Sequence, residues 1–196
     1  MVIWMNKYNS KKTVILSTGK DLFWKYGIKR VSVEEICKES NVSKMTFYKY
    51  FKNKVDLVKT IMIDLMEQGL DEYREIMQSR ITFKEKLEGI IQLKIKNSEN
   101  ISFEILNDLY SDNFPELKSF IEKKSAENLK IFMNDLKTAQ KRGEIREDLN
   151  LKFVTYILNE SVNIIKNDKF RSFFSNAQDM IKSTVELLVY GIIKRD

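Results

Sequence analysis

Helical periodicity runs through almost the whole of this 196-residue chain, and no stretch sustains the period-2 alternation of a half-buried strand. Six glycines and one proline, Pro115, leave few places to turn, which excludes turn-dense β architectures and glycine-rich phosphate loops. The expected fold class is all-α, in one or two domains with enough chain to bury a core. A single cysteine, Cys37, rules out an internal disulfide framework and makes the cytoplasm the natural location. Cys37 itself reads as a small buried hydrophobe and not as a redox sensor. The absence of histidine removes imidazole as metal ligand or general base, and no nucleophile or acid/base cluster replaces it. Neither enzymatic activity nor a metal or cofactor is therefore expected. No apolar run approaches the roughly 18 residues of a membrane span, and the apolar residues 1–5 lack the basic flank of a signal peptide.

Charge divides the chain unevenly. Residues 1–60 hold thirteen Lys and Arg against five Asp and Glu, whereas the other 136 carry a slight acidic excess. From Ser43 to Lys54 there are four lysines and no acid. A basic N-terminal third on a nearly neutral body suggests a polyanion-binding module.

Local signals place the helices. The first is expected over about Lys11–Tyr26, with Gly27 as a left-handed C-terminal cap. Ser32 and Glu35 form a capping box for a short second helix that ends near Ser40, and Asn41 tolerates a positive φ. Ser43 caps a third helix to about Phe51, and a long fourth runs to about Arg80. Thr82 and Glu85 form a second capping box, opening a helix to about Asn97. Further helices follow over about Ser102–Tyr110, Pro115–Arg142 (closed by Gly143), Leu151–Asn167 and Phe173–Lys194.

Two short helices joined by a tight turn, the second basic and aromatic, describe a helix-turn-helix. In the third helix Phe47 and Phe51 share one apolar face, and Met45, Thr46 and Lys49 take the opposite one. Tyr48 and Tyr50 flank that outward arc, so base-edge readers lie between hydrogen-bond donors to phosphate. Lys54 opens the fourth helix, where free N–H groups and a cation both favour a phosphate.

The stretch Lys11–Lys59 resembles the DNA-binding domain of the TetR/AcrR family of bacterial transcriptional regulators. Phe23, Gly27, Val33, Ile36 and Val42 carry the likeness, and the run SKMTFYKYFKNKVDL from Ser43 to Leu57 is its most specific part. By that resemblance Lys44, Met45, Thr46 and Lys49 face bases, and Tyr48, Tyr50 and Lys54 contact phosphates. Met45 and Asn41 stand where the family often has glycine, which leaves the operator sequence open.

The resemblance implies a helix-turn-helix DNA-binding domain over residues 1–54, joined to an all-α ligand-binding and dimerisation domain over 55–196. Phe103, Leu106, Tyr110, Phe132 and Tyr156 are candidate walls of a cavity for a small apolar or amphipathic inducer. Two apolar rows are expected to pair with their copies in a second subunit: Val154, Ile157, Leu158, Val162 and Ile165, then Met180, Ile181, Thr184, Leu187 and Leu188. The expected function is a homodimeric repressor that binds double-stranded DNA at a palindromic operator. Ligand in the body acts on the fourth helix, alters the spacing of the two reading heads and releases the DNA. A helical adaptor or carrier without inducible DNA binding is the alternative.

Overall fold

The computed structural model describes residues 11–191 and all of their side chains but that of Val162. These residues form ten α-helices and no strand. The helices are α1 (Lys11–Tyr26), α2 (Val33–Glu39), α3 (Lys44–Tyr50), α4 (Lys54–Gln78), α5 (Phe83–Asn97), α6 (Phe103–Leu109), α7 (Pro115–Lys141), α8 (Leu151–Ile165), α9 (Asp168–Arg171) and α10 (Ala177–Tyr190).

Side-chain caps start most of them. Ser32, Ser43, Thr82 and Ser102 each accept a backbone N–H from three residues on, and the reciprocal bond of a full capping box is completed at Thr82 by Glu85. Gly27, Asn41 and Gly143 all adopt positive φ, as their places after helices require.

The end of the chain departs from expectation. The helix foreseen over Phe173–Lys194 begins only at Ala177, and Lys194 lies outside the described residues. A short unforeseen helix, α9, precedes it. Two asparagines explain the break. Asn167 Oδ1 accepts the Phe170 N–H at 3.1 Å and Asn176 Oδ1 accepts the Asp179 N–H at 2.8 Å, each opening a new helix. Phe173 and Phe174 sit in the turn between, edge-on to Phe170 with ring centroids 6.4 and 5.2 Å away.

The described residues divide into two compact units. Those up to Met66 with Asn100–Ile121 form the first, and Glu67–Glu99 with those from Glu122 onward form the second. Their boundary differs from the division at residue 54 expected from the sequence. The core of the first gathers Ile15, Phe23, Ile36, Phe47, Leu57, Ile105 and Leu117 from α1 to α4, α6 and the start of α7. In the second, Leu87 and Ile91 of α5 join Leu136 and Ala139 of α7, Val154 of α8 and Val189 of α10. The Tyr73 hydroxyl donates to Asp135 Oδ2 at 2.5 Å there, and its burial pushes the phenol pKa up.

The first unit turns tightly between α1 and α2. Gly27 holds φ at +79°, and a Cβ added there would stand 2.7 Å from Asp108 Oδ2. That carboxylate is buried on α6 and accepts the Lys29 N–H at 2.8 Å, while the Ser102 N–H donates to the Trp24 carbonyl at 3.1 Å. Gly143 has φ at +71°, but open space surrounds its missing Cβ. Gly143→Ala is therefore expected to cost about 1 kcal/mol, the left-handed term alone. Gly27→Ala should cost about 2–3 kcal/mol, since it also displaces a buried carboxylate from its donor. Urea unfolding of both variants checks the difference; equal costs would mean that Asp108 does not constrain the turn.

Candidate nucleic-acid interface

The rotation of α3 about its axis is set by what it buries. Phe47 is 0% exposed and Phe51, its C-cap, is also buried, with their rings 5.7 Å apart. Both join the core with Ile36 of α2 and Phe23 of α1. The opposite side is open. Met45 is 83% exposed, and Lys44, Tyr48, Lys49 and Tyr50 are exposed as well. Thr46 is half-buried, and its hydroxyl lies 3.0 Å from that of Ser43, the N-cap that also accepts the Thr46 N–H at 3.1 Å. Six of the seven residues assigned to DNA thus lie on or beside α3, on the surface away from the core.

Lys54 is a correction. Its ammonium turns inward and donates to the carbonyls of Ile28 at 2.7 Å, Val31 at 3.0 Å and Lys29 at 3.2 Å. An ammonium has three N–H donors, and all three are engaged. Desolvation holds its pKa below the ordinary lysine value, opposed by the Asp108 carboxylate. Lys54 therefore secures the turn before α2. The N-terminus of α4 beside it is already capped, with Asn53 Oδ1 accepting the Asp56 N–H at 2.9 Å and Asp56 Oδ2 accepting the Lys52 N–H at 2.9 Å. The placement of a cation at a helix start was legible in the sequence; its inward direction was not.

Lys44 is engaged in a different way. It forms an exposed ion pair with Glu34 in the first turn of α2. The hydrogen bond between them is the largest cause on both sides, lowering the Glu34 pKa and raising that of Lys44. An acid thus reaches α3 even though the run from Ser43 to Lys54 contains none. Sequence reasoning also passed over Lys52, an exposed cation just beyond α3. Cys37 is buried, and desolvation raises its thiol pKa, which suits a hydrophobe and not a thiolate.

The residues assigned to a ligand cavity do not come together within either unit. Phe103, Leu106 and Tyr110 belong to the first, and Phe132 packs in the second with its ring centroid 6.5 Å from that of Tyr73. Tyr156, also in the second, is 61% exposed and lines no interior. The two apolar rows assigned to a dimer interface are similarly mixed. Val154 and Met180 are buried inside their own chain, Leu187 is 77% exposed, and Ile157, Leu158, Ile165, Ile181, Thr184 and Leu188 are half-buried. The Val162 side chain lies outside the described residues. Phe153, Tyr156 and Ile164 of α8 and Tyr190 of α10 join Leu187 as exposed apolar side chains.

Comparison with known proteins agrees with this geometry. Residues 15–61 match the family described as bacterial regulatory proteins, tetR family. The fatty acid metabolism regulator protein of Bacillus subtilis is 26% identical over 196 residues, covering 96% of this chain and 98% of that one. The HTH-type transcriptional repressor KstR2 of Mycolicibacterium smegmatis is 22% identical over 150 residues, 74% of this chain and 72% of that one. The transcriptional regulator FadR of Bacillus subtilis, solved in complex with stearoyl-CoA, shares the fold with a TM-score of 0.70 at 24% identity, over 91% of this chain and 98% of that one. Residues 15–61 thus match a tetR-family DNA-binding segment, and the all-α fold joins a helix-turn-helix of α1 to α3 to a helical domain. Among the described residues no helix is long and apolar enough to cross a membrane.

Salt dependence separates the lysines. Lys52→Ala, which removes the exposed cation just beyond α3, is expected to flatten the slope of log K against log[salt] by about 0.9 per reading head. Lys54→Met should leave the slope alone and lower stability by about 1–3 kcal/mol, because three carbonyls lose their donor. Glu34→Gln should steepen the slope, since Lys44 loses its paired acid. Fluorescence anisotropy on a labelled duplex across a salt series reads all three. A flatter slope in Lys54→Met would restore Lys54 as a phosphate contact.

Proposed function

We propose that this protein is a homodimeric repressor that sits on a near-palindromic operator and leaves it when a small apolar or amphipathic ligand enters its helical body. Residues 1–54 serve as the reading head, and residues 55–196 carry ligand binding and dimerisation. The observation that carries the reading is the division of α3, with Phe47 and Phe51 sealed in the core and Met45, Tyr48, Lys49 and Tyr50 open to solvent. Lys44, Met45, Thr46 and Lys49 face base edges, and Tyr48 and Tyr50 reach phosphates on either side. Met45 touches thymine methyls, the one apolar feature of the major groove.

Two copies are required because one seven-residue helix reads too few base pairs to specify a site. The exposed apolar side chains of α8 and α10 supply the pairing surface, as a patch of this kind marks association. DNA binding places the site of action in the cytoplasm. The relatives named above support the regulatory role, and the stearoyl-CoA complex of one of them supports an amphipathic ligand. Release is a population shift. Moving from 1:99 to 99:1 takes a ligand about 5.5 kcal/mol of preference for the state that does not bind DNA.

Selection from random duplexes should return a near-palindrome. On it, with about four phosphates neutralised per head, log K should fall with log[salt] at a slope of about −7. A flat response, or no preference for duplex DNA, would favour an adaptor role instead. Replacing Phe153 and Leu187 together by Glu should yield a monomer in sedimentation velocity and weaken operator binding by more than about a hundredfold, because the second head is lost. A dimer that survives both changes would move the interface elsewhere.

A further inference from the structure

One methionine stands apart from the others. Of the six among the described residues, Met45 alone is exposed, at 83%. Met62 and Met66 pack against the core of the first unit, Met77 and Met133 against that of the second, and Met180 is fully buried. Met45 lies in the first turn of α3, between Lys44 and Thr46, and belongs to neither core. An exposed thioether is open to two-electron oxidants, and its conversion to a sulfoxide is a common oxidative change. The competing sulfur is sheltered: Cys37 is buried, and desolvation favours its thiol over the reactive thiolate.

Oxidation changes what this position offers to DNA. The sulfur lone pair attacks one oxygen of hydrogen peroxide, and an S–O bond forms as the O–O bond breaks. The transferred oxygen gives its proton to the departing hydroxide, which leaves as water. Sulfur loses two electrons and the peroxide gains them. The product is polar and chiral, and its oxygen accepts hydrogen bonds but donates none. Set against a thymine methyl, that oxygen gives up water and gains no partner, a cost the thioether does not carry. The helix itself is untouched, since Ser43 still caps α3 and Phe47 and Phe51 still hold it in the core. We propose that Met45 is an oxidation site through which a peroxide weakens operator binding without unfolding the protein. The inference rests on the reading that the outer face of α3 lies in the major groove, and it makes that face sensitive to oxidants.

The test treats the full-length protein with hydrogen peroxide until it has gained about one oxygen, then follows peptide masses, melting and anisotropy on the duplex returned by selection. Met45 should be oxidised ahead of the other methionines. Operator affinity should fall about tenfold or more, as an unpaired polar group at the interface costs, at an unchanged melting temperature. Reduction by the two epimer-specific methionine sulfoxide reductases should restore the affinity. Met45→Leu, compared with its own untreated sample, should lose the response. Prior oxidation of another methionine, unchanged affinity once Met45 is oxidised, a lower melting temperature, failure of reduction to restore binding, or a response that persists in Met45→Leu would each overturn the proposal. Operator binding by the untreated protein stands under all of these outcomes. Equal Met45 oxidation in free and operator-bound protein would instead remove the groove reading, and the proposal with it.

Discussion

Burial of Phe47 and Phe51 fixes everything that α3 presents. Each ring contributes on the order of 2–3 kcal/mol by leaving water. Turning the helix by one residue, about 100°, would lift a ring out of the core and drive a lysine toward it. The two terms act in the same direction, so the seven-residue helix has one rotational setting although it is too short to be stable alone. Met45, Tyr48 and Lys49 project outward because the phenylalanines project inward.

The charge of the N-terminal third is put to more than one use. Lys54 ties down the carbonyls of Ile28, Lys29 and Val31, and Asp108 holds the Lys29 N–H of the same turn. Arg30 stacks on the Tyr26 ring with its guanidinium carbon 4.1 Å from the centroid. Lys44 shares its charge with Glu34. The excess of lysine over acid in residues 1–60 therefore overstates what reaches a phosphate. Part of it holds the turn that sets α2, and α2 with α1 holds α3.

The fold was legible where its causes are local. Capping serines and threonines, Gly27 and Asn41 act within a few residues, and they delimit α1 to α7 closely. The break before α10 was local too, but Asn167 and Asn176 were hidden among the phenylalanines around them. What the sequence could not convey was direction through space. Lys54 meets its partners more than twenty residues back, and Asp108 reaches across about eighty, so no spacing rule finds either. The apolar rows of α8 and α10 pose the same problem. A residue that faces its own core and one that faces a second copy are equally apolar, and only the structure separates Val154 and Met180 from Phe153 and Leu187.

The central claim is that the face of α3 opposite its phenylalanines lies in the major groove, and thiol protection tests it most directly. In a Cys37→Ser background, single cysteines would replace Met45, Lys49 and, as a control on the distant turn before α10, Phe173. Their alkylation rates would be measured with and without saturating operator duplex. The account requires strong protection of positions 45 and 49 and none at 173. Equal rates with and without DNA at both α3 positions, under conditions where binding is verified, would contradict it.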